Sequence, residues 1–165
     1  MEGNRSKSRA LLVFGVPCSG KTTFAKKFSE KFGIPYYNLD EIESKYGFNY
    51  EKVLIILELI AKTRQTIIIE GGLNTERDRK VIYKILSDNG YENSLIWVQT
   101  DLATIRSRLK AKYKSVTKAK STYDSMVSNL EAPTELERPI ILSGKHTFET
   151  QTKHVLAGLA DVDKR

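Results

Sequence analysis

Gly15-Val16-Pro17-Cys18-Ser19-Gly20-Lys21-Thr22 fills every fixed position of the pattern G-x-x-x-x-G-K-[ST]. The spacing has a physical basis. Two glycines let the chain turn tightly, so that successive backbone N–H groups converge on phosphate oxygens, and the helix that follows aims the positive end of its dipole at the same anion. Lys21 is placed to reach the β- and γ-phosphates of a nucleoside triphosphate, and the Thr22 hydroxyl to bind Mg²⁺. The nucleotide-binding set is therefore Gly15, Pro17, Cys18, Ser19, Gly20, Lys21, Thr22 and Thr23. Cys18 holds a variable position. It is either a tolerated small residue or a thiol whose oxidation or alkylation would obstruct the nucleotide.

The context supports the motif. Ala10–Phe14 reads as an apolar strand before it, and Lys21 to Phe32 as a helix after it, stopped by Gly33 and Pro35. Outward from there, short apolar runs alternate with helical periods: strands at Tyr36–Leu39, Ile67–Ile69 (ending at Glu70), Leu95–Gln99 and Pro139–Leu142. The intervening helices are expected at Tyr50–Thr63, from an Asn74 cap to Asp88, from Asp101 through Leu109, and at Thr122–Leu130, the last being the weakest pattern. A final helix carries Phe148, Val155, Leu156 and Leu159 toward the core, and Trp97 belongs to a buried strand. Five strands with crossover helices make a three-layer α/β/α sandwich on a parallel sheet, with ligands at the carboxyl ends of the strands.

With 165 residues, 40% hydrophobic and 28% charged, the chain has the size and composition of one soluble domain, residues 1–165. Its longest apolar stretch, Val53 to Ala61, is interrupted by Glu58 and is far short of the ~20 residues that span a bilayer. No membrane contact and no export signal are expected, and the single cysteine fits a reducing compartment, so the cytoplasm is the expected location. Residues 101–124 hold seven basic side chains against two acidic ones, out of a net charge of +7. That segment should attract a polyanion, either a nucleotide triphosphate or a nucleic acid.

Phosphoryl transfer needs an acid near the metal, a base for the acceptor hydroxyl, and cations for the γ-phosphate. Asp40, at the end of the second strand, is placed to take the acceptor proton or to contribute to the metal site; the alternative is a helix-cap aspartate. Glu70 occupies the place of a metal-binding acid, or is a simple edge carboxylate. Gly71-Gly72 let an acceptor approach the backbone, or form a plain turn. Arg77 and Arg79 are placed to hold an anionic acceptor, or lie on a solvated helix face. Tyr113 and Tyr123 flank the lysines of the basic segment, where they could stack on bases. His146 and His154 have no cysteine near them, and a metal site there is not expected.

The loop GVPCSGKTT, YYNLDE at strand two, IIIEGG at strand three, VQTDLATIRSRLKAK and the closing PIILSGKHTFETQ together resemble the shikimate/gluconate/polynucleotide kinase branch of P-loop kinases. The resemblance implies strand order 2-3-1-4-5, with ATP and Mg²⁺ as cofactors. It also implies a lid at about residues 110–123, with Arg108 and Lys112 stabilising the transferring phosphoryl group. Two departures bear on the acceptor. Glu43 stands where polynucleotide kinases of this branch carry an arginine three residues after the strand-two aspartate, and the lid offers lysines where relatives use arginine. Lysine supplies a point charge but no bidentate contact. The resulting expectation is transfer of the γ-phosphate of ATP to a hydroxyl of a small metabolite or nucleoside-like acceptor. Asp40, Gly71, Gly72 and Arg77 would be on the acceptor side, and Thr22, Glu70 and Asp40 at the metal. A polynucleotide 5′-hydroxyl kinase, with nucleic acid on the basic segment, is the second reading, and a non-catalytic ATP-binding regulator the third.

Overall fold

The computed structural model of the chain describes residues 8–162, without the side chain of residue 162. Its centre is β1 (Ser8–Phe14), whose last five residues are buried because both faces of the strand are covered. Around it lie β2 (Tyr36–Asn38), β3 (Ile67–Glu70), β4 (Tyr91–Gln99) and β5 (Ile140–Ser143), in the order β2-β3-β1-β4-β5. Every pairing is parallel. This is the order expected from the sequence. In a parallel sheet the strands are buried on both sides, and for that reason Ile67, Ile68 and Ile69 form an unbroken β-branched run rather than an alternating one.

Among the described residues there are seven α-helices: α1 (Lys21–Phe32), α2 (Leu39–Tyr46), α3 (Tyr50–Ala61), α4 (Glu76–Asp88), α5 (Leu102–Tyr113), α6 (Val116–Val127), which packs on α5, and α7 (Phe148–Val162). Side chains alternate between two cores. Leu12, Phe14, Ile67, Ile69 and Leu95 meet Leu39, Leu57, Ile82 and Leu86 of α2, α3 and α4. Leu11, Val13, Ile68, Ile96 and Val98 meet Phe24, Phe28 and Val155 of α1 and α7. A smaller third cluster joins Ile105 and Leu109 of α5 to Ala119 of α6, with Val16 and Cys18 packed against it. Among the described residues no helix is long and apolar enough to cross a membrane.

The sequence reading needs several local corrections. Strand two ends at Asn38, whose side chain accepts from Glu41 N and caps α2, so Asp40 lies in the first turn of a helix and not at a strand end. Thr75 rather than Asn74 caps α4, in a capping box with Asp78. The weakly patterned 122–130 helix is α6, starting earlier at Val116 under a Ser115 cap. The basic segment is thus two helices joined at Lys114, which adopts a left-handed φ of 53°. Leu156 does not reach the core and is 46% exposed.

Arg79, expected on a solvated face or at an acceptor, is fully buried. Its guanidinium donates to both Glu137 oxygens at 2.6 and 3.0 Å and to the carbonyls of Leu73 and Glu131 at 3.1 and 2.9 Å. It also lies 5.2 Å from the centre of the Phe14 ring. Burial pushes the Glu137 carboxyl up, but hydrogen bonds from Arg79 and Thr134 outweigh it and leave the group below its ordinary value. Arg79 thereby ties the β3–α4 turn to the chain that returns from α6. Replacing Arg79 with alanine strands the Glu137 carboxylate, and denaturant unfolding should show a loss of ~3–5 kcal/mol. Lys84→Ala, which breaks only the exposed pair with Asp88, should change stability by less than ~1 kcal/mol.

Candidate active site

β1 lies between β3 and β4, the two strands reached by crossovers in opposite directions, so a crevice opens beyond its carboxyl end. The 15–22 loop occupies that crevice. Cys18 and Gly20 take positive φ values of 61° and 105°, an alternation that turns successive N–H groups inward. Gly15 is required by a close approach: a Cβ there would lie 2.5 Å from the Val98 carbonyl oxygen. The loop runs into α1, whose N-cap Gly20 offers no side-chain hydrogen bond, whereas α2 to α6 are capped by Asn38, Asn49, Thr75, Asp101 and Ser115. The amides at the start of α1 therefore lack the internal partner that those five helices have.

At this helix end is a cavity of about 500 Å³ lined by Cys18, Gly20, Lys21, Thr22 and Thr23 from the loop side and by Arg108 and Lys112 from α5. Gly144 and His146 close it from the β5–α7 turn. Gly15, Pro17 and Ser19 do not line it and act on its shape. Uncapped amides, a lysine and two α5 cations suit a polyphosphate, so the residues present fit a nucleotide. Ser19 is fully buried with its hydroxyl unpartnered.

Beneath the cavity, Thr22 donates to Glu70 Oε1 at 2.5 Å, and Lys21 Nζ lies 4.0 Å from the same oxygen. Glu70 is 2% exposed. Its other oxygen accepts from the Tyr36 hydroxyl at 2.6 Å, and Asn38 Nδ2 donates to that hydroxyl at 3.3 Å. Burial pushes the Tyr36 phenol well above its ordinary range, and the Glu70 hydrogen bond adds to the rise. Thr22 and Glu70 present adjacent hard oxygen donors, which fit a Mg²⁺ ion. Tyr36 and Asn38 were missed in the sequence; their only signal was membership of the strand that pairs with β3 at Glu70.

Asp40 is exposed, and its Oδ1 accepts from Gly72 N at 2.9 Å. Gly71, at φ 83°, sits so close that a Cβ would lie 2.7 Å from Asp40 Cγ. Asp40, Gly71 and Gly72 thus form one unit. Arg77 does not join it or the cavity: it is exposed on α4, in a separate shallow groove with Glu76, Lys80 and Glu131.

Arg108 is anchored, donating to the carbonyls of Cys18, Ser19 and Gly144 at 3.0, 3.2 and 3.0 Å. Thr100 donates to Ser19 O at 2.8 Å. Lys112, one turn on, is exposed in the cavity wall, 5.5 Å from the Tyr113 ring centre. The rest of the basic segment divides between faces, with Arg106, Lys110 and Lys120 lining a groove between α5 and α6. Asp101 caps α5 and pairs with Lys145 at 3.1 Å; its carboxyl is held well below the usual range by hydrogen bonds from Thr104 and then Lys145.

No family model and no curated protein matches the chain. Solved structures do. A sugar kinase from Janibacter sp. HTCC2649 is similar at TM-score 0.67 and 19% identity, over 93% of this chain and 95% of that one. A gluconokinase from Sinorhizobium meliloti 1021 is similar at TM-score 0.68 and 16% identity, over 96% and 95%. The third is the Mycobacterium tuberculosis APS kinase, solved with AMPPNP and APS, at TM-score 0.66 and 15% identity over 93% and 98%. The fold is that of the P-loop kinases. These likenesses span nearly the whole of each chain, so the P-loop kinase fold accounts for all five strands. At such identities they leave the acceptor undefined.

Gly144 offers a direct test of how the cavity is built. A Cβ there would fall 1.9 Å from Ser19 O and 2.2 Å from Thr100 Oγ1. Gly144→Ala should push the β5–α7 turn off the 15–22 loop and weaken ATP binding by roughly tenfold or more, a cost of ~1.4 kcal/mol. Calorimetric titration with ATP would measure it, and circular dichroism should report an unchanged fold.

Proposed function

We propose that this chain is an ATP-dependent phosphotransferase that moves the γ-phosphate of ATP to a hydroxyl of a small metabolite or nucleoside-like acceptor. The observation that carries the reading is the Thr22–Glu70–Lys21 cluster under a cavity walled by α5 cations. A loop that only turned the chain would not need a buried carboxylate, a hydroxyl and an ammonium group converging beside an uncapped helix end. The kinase fold of the sugar kinase and the gluconokinase agrees with it.

In this reading the 15–22 loop and the first turn of α1 hold the phosphates, with Thr23 and Cys18 beside them. Thr22 and Glu70 would hold Mg²⁺, which would supply neutralisation of phosphate charge. Asp40, fixed by Gly72 N on the acceptor side, takes the proton from the acceptor hydroxyl. The acceptor oxygen bonds to the γ-phosphorus, the bond from that phosphorus to the bridging oxygen breaks, and ADP departs with the bond's electrons. Lys21 and Lys112 offset charge on the transferring group. Arg108 acts differently from the expectation: with three carbonyls already engaged, it holds the loop and the β5–α7 turn together.

The assay supplies Mg²⁺ and γ-labelled ATP with a metabolite extract in one reaction and a 5′-hydroxyl oligonucleotide in another. Label should appear on a small molecule, and Lys21→Ala should abolish it. Asp40→Asn should keep ATP affinity and lower turnover by ~10²-fold or more. Label on the oligonucleotide would replace the acceptor class. ATP binding without any transfer would leave a nucleotide-binding regulator.

A further inference from the structure

Glu70 is a carboxylate with almost no access to water, and its two oxygens are engaged from opposite sides: Oε1 by Thr22 and Oε2 by Tyr36. An ionised carboxylate has about four lone-pair sites. Leaving one of its oxygens unpaired in a buried setting costs a large part of its solvation. The Tyr36 hydroxyl fills that need at 2.6 Å, and Tyr36 is not among the residues lining the cavity. The phenol is itself held, by Asn38 Nδ2 at 3.3 Å and by the partial burial of its ring against the α1 core. Asn38 uses its other amide atom, Oδ1, to cap α2, the helix that carries Asp40.

A chain of hydrogen bonds therefore runs from the start of α2 through Asn38 and Tyr36 to Glu70 and on to Thr22. Two consequences follow from its geometry. The carboxylate plane is fixed from two ends, so Oε1 is presented beside the Thr22 hydroxyl and cannot rotate away. The α2 segment bearing Asp40 is also registered against the carboxylate through one phenol.

We propose that Tyr36 is the positioning residue of the metal site, holding Glu70 Oε2 so that Oε1 and Thr22 are preorganised for the divalent cation of the nucleotide. This rests on the reading of Thr22 and Glu70 as the cation-holding pair. Tyr36 touches neither nucleotide nor acceptor; it works through Glu70. Second-sphere partners of this kind typically alter cation affinity by ~10- to 100-fold when removed.

The test is Tyr36→Phe, which keeps the ring that packs against the α1 core and removes only the donor. Mn²⁺ affinity is read by electron paramagnetic resonance on the protein–ADP complex, with no acceptor present. The variant should bind Mn²⁺ ~10-fold more weakly, while ADP affinity without metal stays close to that of the parent. The protein should stay folded at assay temperature, its thermal midpoint lowered by at most ~10 °C as Glu70 Oε2 loses its donor. In turnover, the Mg²⁺ concentration for half-maximal rate should rise by a similar factor, and kcat at saturating Mg²⁺ should stay within about twofold. Glu70→Gln sets the size of the effect when the acid itself is lost. Asn38→Ser, which keeps an oxygen to cap α2 but removes the amide donor to the phenol, should weaken Mn²⁺ binding by less than Tyr36→Phe. Mn²⁺ affinity unchanged in Tyr36→Phe, or a fall in kcat with no change in Mg²⁺ requirement, would overturn the proposal. Because the Mn²⁺ measurement needs no acceptor, a chain that binds metal–nucleotide but transfers no phosphate would sink the phosphotransferase reading and still decide this one.

Discussion

Three backbones meet around Ser19, and the cavity exists because they come so close. The 15–22 loop, the end of β4 and the turn after β5 approach to distances at which an added Cβ would collide with a carbonyl oxygen, at Gly15 against Val98 and at Gly144 against Ser19. Such proximity brings carbonyl dipoles together, which is unfavourable unless donors lie between them. Arg108 and Thr100 provide them, giving Cys18, Ser19 and Gly144 their partners. The cluster of Ile105, Leu109 and Ala119, with Val16 and Cys18 packed against it, covers the same junction from outside. The loop is thus set by its glycines from within and by α5 from without. The start of α1, given no side-chain cap by its own sequence, is left with amides that an anion can partner.

The second constraint is a buried carboxylate. Glu70 at the end of the fully covered β3 would be costly if its partners were missing. The structure gives it two hydroxyls and a nearby ammonium group rather than a close guanidinium. In the proposed reading, that choice leaves the carboxylate accessible to a cation. A bidentate arginine would satisfy both oxygens, as Arg79 does for Glu137, and would leave nothing for a metal to replace. The two acids show the same physics used for opposite ends: Glu137 is closed into the scaffold by Arg79, whereas Glu70 is held at Oε2 by Tyr36 and meets only a threonine hydroxyl at Oε1.

The parts of this arrangement that were legible in the sequence are those fixed by backbone chemistry over short spans. The 15–22 loop needs glycines at set spacing, a parallel strand buried on both faces needs an unbroken β-branched run, and Gly33 ends α1 at a left-handed φ of 63°. Contacts made between distant segments were not legible. Nothing local marks Arg79 as buried: its neighbours in sequence, Arg77 and Lys80, are exposed charges on the same helix, and its partner Glu137 comes 58 positions later. Tyr36 looks like any strand aromatic until β2 is paired with β3. The helix α2 was hidden because Asn38 ends a strand and caps a helix at once, with no intervening turn residue to mark the change.

The basic segment shows why charge counting alone misleads. Seven cations within residues 101–124 suggest one positive surface. On two helices joined at a short turn they separate by helical phase: Arg108 and Lys112, four apart, face the cavity at the start of α1, while Arg106 and Lys110, also four apart, face the groove between α5 and α6. Arg108 keeps its charge at the cavity wall, but three of its donor hydrogens are taken by backbone carbonyls. Of the α5 cations in the cavity wall, the one with its donors uncommitted to backbone carbonyls is Lys112, and a lysine there brings charge without a fixed fork. In the proposed reading, an acceptor hydroxyl would be selected by where it sits relative to Asp40 and Gly72 rather than by an anionic group gripped on the α5 side. Specificity in that reading lies at the β2–α2 and β3–α4 junctions, where Arg79 fixes the β3–α4 turn through Leu73 O and Tyr36 ties the end of β2 to Glu70.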